Sequence, residues 1–164
     1  MLISLAVRLL IPDTTAISAL RSLRQQSLAA LLELRREVCW GFDIASDVEA
    51  AVDRLLRTDV LVNQNKHRVR WWAGDLELAP SVNGAGLLHA ASVLVESRDD
   101  PDVPAMQQLL SRRLGFADLR VVRHGTLWHV VTADGGSSAT LARHAIDALL
   151  ANPHGQIATL LGGS

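Results

Sequence analysis

Six histidines could supply metal ligands or acid–base groups, and His124, His129, His144 and His154 gather in the last third of the chain. His124 and His129 are an odd number of positions apart, so a regular strand turns them to opposite faces. With no ligand spacing among the others, no metal centre is expected. Cys39, the single cysteine, stands beside Trp40 in an apolar stretch, where a thiol packs as a small hydrophobe; it has no neighbouring cation in sequence to activate it. Asp134-Gly135-Gly136-Ser137-Ser138 precedes a helical pattern and could cradle a phosphate, but it lacks the lysine of a phosphate-binding loop and reads as a connection. No nucleophile, base and orienting group share a recognisable spacing, and there is no paired-carboxylate or nucleotide motif. Catalytic residues, cofactor and metal are each expected to be none.

The polar residues that stand out instead are Arg35 and Arg123, because they occupy equivalent places in an internal repeat. Residues 28–45 and 116–133 align without a gap at an offset of 88, with Ala29/Ala117, Leu31/Leu119, Arg35/Arg123, Trp40/Trp128 and Ala45/Ala133 identical. Each copy reads as a hairpin, with Arg123-His124-Gly125 as the turn in the second and Arg35-Arg36-Glu37 in the first. Arg35, Arg123, His124 and Gly125 are therefore candidate partner contacts. Trp40 and Trp128 read as equivalent core or interface aromatics. Trp71 and Trp72 are adjacent on a strand and must face opposite ways, so one ring, with Trp72 the contact candidate, needs cover from the other copy, the linker or a partner.

The elements around these residues repeat as well. Residues 2–11 form an apolar strand ended by Pro12-Asp13, and Thr14 or Thr15 can cap a helix with Ile17, Leu20 and Leu23 on one side. After the first hairpin, Ser46 or Asp47 can cap a helix carrying Val48, Val52, Leu55 and Leu56, and residues 66–72 make a strand. The cycle restarts with a strand over 91–97, a helix over 103–114, the second hairpin, a helix over 139–151 and a last strand over 157–161. The expectation is α+β: two tandem ferredoxin-like units (β-α-β-β-α-β), at 1–74 and 91–164, joined by a linker at 75–90 rich in Gly, Pro and Ser.

Composition agrees with a protein of this kind. With 49% hydrophobic residues over 164 positions the chain can build a large core. A formal net charge of -1 gives no electrostatic reason to bind nucleic acid. No apolar run reaches the length of a membrane span, no signal peptide opens the chain, and a lone cysteine suits a reducing compartment, so a cytoplasmic location is expected.

The second copy resembles the small-subunit (PurS) family of phosphoribosylformylglycinamidine synthase. The resemblance rests on Leu114-Gly115-Phe116, Val122-Arg123-His124-Gly125 and Leu149-Leu150-Ala151-Asn152-Pro153. The first copy is similar through its first helix, Arg35 and Leu55-Leu56. The chain departs from the family at Thr126, where a lysine usually follows the glycine, and in the loops at 12–15 and 99–102. The resemblance implies a noncatalytic subunit that bridges a synthetase large subunit and a glutaminase subunit, with self-association, in an ATP- and glutamine-dependent step of purine biosynthesis. Because it implies that two such units associate through their sheets, the two copies are expected to pair with each other about a pseudo-twofold axis, with Trp40 and Trp128 in equivalent environments. The alternative is a small-ligand-sensing regulatory module that binds an effector between its two units.

Overall fold

A computed structural model describes residues 1–45, 47–80, 90–133 and 138–161. The first half contributes β1 (Leu2–Leu9), α1 (Thr14–Gln25), β2 (Leu31–Ile44), α2 (Val48–Leu56) and β3 (His67–Ala73). The second half contributes β4 (Ala90–Ser97), α3 (Asp102–Gln108), β5 (Leu119–Thr132), α4 (Ser138–Ala145) and β6 (Gln156–Leu161). One six-stranded antiparallel sheet runs β3-β1-β2-β5-β4-β6, so the fold is α+β and symmetric in strand order about its centre.

Neither expected hairpin forms. Residues 31–44 and 119–132 are each one unbroken strand, and β2 and β5 lie side by side along nearly their whole length. The segments that look like polar turns are the crossing point of these two strands. Gly125 has no turn to make. It lies opposite Cys39, and a Cβ there would meet the Val95 carbonyl oxygen at 3.0 Å, so glycine is what lets β4 close on β5. Each half therefore reads β-α-β-α-β. The cap of α1 is Asp13 where Thr14 or Thr15 was expected, its Oδ1 accepting from the Thr15 and Ala16 amides at 3.0 and 3.3 Å, whereas α2 is capped by Asp47 as expected, which accepts from the Ala50 amide at 3.1 Å. Ser46 lies outside the described residues.

The register makes the repeat visible in space. Val38 pairs with Thr126, its own equivalent 88 residues on, so the pseudo-twofold axis passes through this pair. Trp40↔His124 is repeated as Arg36↔Trp128, and the irregular pair Ile44↔Leu119 is repeated as Leu31↔Thr132. Val7↔Val38 in the first half matches Val95↔Thr126 in the second. The expected intramolecular pairing about a pseudo-twofold axis is present, and Trp40 and Trp128 are each 7% exposed.

Helices cover one face of the sheet in two groups, and each group mixes the halves. One core joins Ile3, Leu5, Phe42, Ile44, Val52 and Leu55 of the first half to Leu110, Phe116, Leu119 and Val122 of the second. The other joins Ala16, Leu23, Leu31 and Leu34 to Val93, Trp128, Val130, Ala142 and Leu150. Both second-half helices end in a π-helical turn, Leu109–Arg113 and Ile146–Leu150. After the first of these, Gly115 takes φ +73, which a side chain would disfavour, and Phe116 drops into the core. No helix of the described residues is long and apolar enough to cross a membrane.

Because Phe42 and Ile44 are covered partly by second-half residues, residues 1–74 alone would expose apolar core. The full chain is expected to unfold in one cooperative denaturant transition, and the 1–74 fragment to show no such transition as a monomer. A monomeric fragment as stable as the full chain would contradict the shared cores.

Candidate functional site

The face of the sheet opposite the helices carries, among the described residues, a hydrogen-bonded set of charged and polar side chains. Alternation places Arg35, Glu37, Cys39 and Gly41 of β2 on it, beside Arg123, Gly125, Leu127 and His129 of β5. Ser92, Leu94 and Glu96 of β4 flank them on one side, and Arg68, Arg70 and Trp72 of β3 lie beyond β1 on the other. Part of this face is closed by the segment after β3, where Leu76–Leu78 form a single 3-10 turn. Leu76 is buried with Ala6, Cys39, Trp72, Leu94, Leu127 and Leu161, a third apolar cluster drawn from both halves. Residues 75–80 of the expected linker thus act as a cover, and 81–89 lie outside the described residues.

At the centre sits Glu37. Its carboxylate takes Arg70 Nη2 at 2.6 Å and Nε at 3.0 Å, and His129 Nε2 at 2.9 Å, while His129 Nδ1 meets the Ser92 hydroxyl at 2.8 Å. An ionised carboxylate only accepts, so Nε2 carries the proton that faces Glu37. His129 is 1% exposed and Glu37 7%. Burial pushes the Glu37 carboxyl up, but the hydrogen bonds from His129 and Arg70 and the charge of Arg70 outweigh it and hold the pKa at about 2. Cys39, beside them, goes the other way: burial, reinforced by the Glu37 charge, pushes its thiol up to about 12. It is a packed, protonated thiol, as its apolar setting in sequence suggests.

Ser92, His129 and Glu37 come from β4, β5 and β2 and stand in the order of a hydroxyl, a base and an orienting carboxylate. Their positions in sequence gave no sign of it. Ser92, however, lies in the interior of a strand hydrogen-bonded on both sides, opposite His129 and Leu161, so the ladders use the amides around it. An oxyanion needs free donors. What the arrangement does is tie first-half Glu37 and Arg70 to second-half His129 and Ser92 across the seam.

Arg123 makes a second tie. It reaches Asp75, Glu77 Oε1 at 2.8 Å and Glu96 Oε2 at 2.6 Å, and these carboxylates raise its pKa, with the Glu77 bond the largest contributor. The cover is thereby fastened to β5. Trp72 is buried beneath it, 7% exposed, with Nε1 donating to the Asp75 carbonyl at 2.9 Å, while Trp71 stays 43% exposed on the opposite face. Arg35 does not share this setting: it pairs with Glu33 beside an open cavity.

On the helix side His124 stacks on Trp40 with ring centroids 4.1 Å apart and bonds Asp100 at 2.7 Å. The equivalent place in the first half has Arg36 over Trp128, held by Asp13 at 2.8 Å. Asp100, Asp102 and His124 do bring ligand atoms within 4.8 Å of one another. The counterpart built from Arg36, Asp13 and Trp128 gives the Asp100–His124 contact a structural reading, a planar polar group held on a tryptophan face by a carboxylate. His124 and His129 lie on opposite faces as their odd spacing requires. Of the glycine-serine loop, residues 134–137 lie outside the described residues.

Searched against protein families and against curated proteins, the sequence matches none.

The Glu37 tie has a definite pH signature. Its carboxyl titrates near 2 in the folded chain against about 4.5 when unperturbed, so its stabilisation is complete above 4.5 and is lost as pH falls towards 2. Glu37→Gln is expected to cost about 3 kcal/mol at neutral pH, the size of a broken buried pair. Denaturant unfolding across that acid window should show the gap to the parent protein closing. A gap that does not change with pH would contradict the assignment.

Proposed function

We propose that this chain is a noncatalytic assembly subunit, a tandem PurS-like small subunit of phosphoribosylformylglycinamidine synthase, bridging the synthetase large subunit and the glutaminase subunit. The observation that carries this reading is the β2–β5 register, centred on Val38 and Thr126, in which each repeat meets the other as one protomer meets a second copy across a twofold axis. One chain then does the work of a dimer. Each half corresponds to a ferredoxin-like unit whose two middle strands run on without a turn: residues 38–43 of β2 pair with β1, and the residues before them pair with β5 alone.

The polar network supports a structural role, since its charges are spent on one another across the seam. Among the contact candidates, Arg123, Gly125 and Trp72 hold the cover and the strand spacing, and they shape a partner surface from beneath. His124 is anchored on Trp40. Trp71, half-exposed on edge strand β3, is the aromatic that a partner can reach.

Co-expression with a synthetase large subunit and a glutaminase subunit tests this. A ternary complex is expected to co-purify, with glutamine-dependent amidine formation falling at least about tenfold when the chain is left out and association weakened by Trp71→Ala. A complex that forms and turns over glutamine equally well without the chain would refute the reading.

A further inference from the structure

Beside the end of β1, a cavity of about 530 Å³ opens between β1, β2, β3 and the start of α1. That volume is in the ordinary range for a small-molecule site, roughly 300–1,000 Å³. Arg8, Arg35, Arg36 and Arg68 line it together with two carboxylates, Asp13 and Glu33. Both carboxylates are already taken. Asp13 holds Arg36 at 2.8 and 3.2 Å, and Glu33 holds Arg35. Arg8 and Arg68, which face each other directly in the β1–β3 ladder, have no acceptor among the described residues. Like charges placed opposite each other on adjacent strands destabilise a sheet, and an anion between them reverses the sign.

The pseudo-twofold axis supplies an internal control. Arg35 corresponds to Arg123, Arg8 to Glu96 and Arg68 to Ile157, since Arg8↔Arg68 in one half occupies the place of Glu96↔Ile157 in the other. In the second half Glu96 takes the guanidinium of Arg123 in two hydrogen bonds, with Asp75 and Glu77 adding to it. In the first half an arginine stands where that neutralising glutamate would be, and a second arginine stands where the other half has an apolar residue. The same framework is self-neutralised in the second half and carries two uncompensated positive charges in the first.

We propose that this first-half cavity binds a small organic phosphate. Guanidinium groups match the paired oxygens of a phosphate, and two unpaired ones balance a dianion. The rest of the wall is apolar: Ile11 and Ile17 are 63% and 49% exposed, and Leu20 lies beside them, so an organic group attached to the phosphate gains contact that a bare ion does not. All of these residues belong to the first half, and the site stands independently of the assembly role.

Calorimetry on the full chain at fixed ionic strength, with phenyl phosphate and inorganic phosphate as probes, tests the proposal. One saturable site per chain is expected, tighter for phenyl phosphate, with Arg8→Glu and Arg68→Glu each weakening it at least about tenfold. Arg113→Glu, on the distant π-helical turn after α3, should leave the affinity within about twofold, as expected of a charge screened beyond the Debye length. Ligand-free Arg8→Glu should melt above the parent protein, because it installs the carboxylate that the other half uses. Absence of saturable binding, equal loss in Arg113→Glu, or unchanged affinity in Arg68→Glu, whose exposed side chain can be replaced without disturbing the core, would each overturn it.

Discussion

The antiparallel ladder between β2 and β5 is the constraint on which the rest of the molecule depends. It joins two three-stranded halves into one sheet and fixes the pseudo-twofold axis at Val38 and Thr126. It also decides where the helices go. Because each long strand extends past the axis, α1 packs over the second half and the α3 region packs over the first, so both cores draw on both halves. Removing either half exposes the other's interior.

Register along that ladder is held from two sides. On the helix side, Trp40, Phe42, Val122 and Trp128 must stay buried; on the other side, Glu37, His129 and Arg123 must meet their partners. A slip of one residue would exchange these sets, carrying charges into the apolar cores and tryptophans onto the polar face. Buried ion pairs are poor sources of net stability but costly to break, and this suits a device that specifies one pairing among several apolar alternatives. Backbone symmetry is not matched by side-chain symmetry. Glu37 and His129 correspond to Gly125 and Gly41, and the space those glycines leave is where β4 closes in and where Leu76 of the cover rests. One side of the axis is locked by charge and the other by close packing, and the basic cavity grows out of the same divergence.

Most of this fold was legible in the residue pattern, because helical and strand periodicities are local. The repeat, the order of helices and outer strands, and the opposite facing of Trp71 and Trp72 all followed from it. The middle of each repeat did not. Arg35-Arg36-Glu37 and Arg123-His124-Gly125 have the composition of turns, and what makes them strands is satisfaction by residues far away in sequence: Arg70, Asp13, Asp100 and the carboxylates around Arg123. For the same reason the Ser92–His129–Glu37 line and the Arg8–Arg68 pair were invisible beforehand, since each exists only through strand register. Equivalent arginines in sequence also proved unequal in space, because their surroundings, and not their positions in the repeat, decide whether their charge is met.

Native-state hydrogen exchange resolved by residue tests the central claim most directly, because it compares the seam with the ladders inside each half in one experiment. If β2 and β5 make the two halves a single cooperative unit, the paired amides of 36–42 and 122–128 exchange only through global unfolding, as slowly as the amides of β1 and β4 and with the same dependence on denaturant. Exchange at the seam that is faster than in β1 and β4, with a smaller denaturant dependence, would mean that the halves part before either unfolds, and the account would be wrong at its centre.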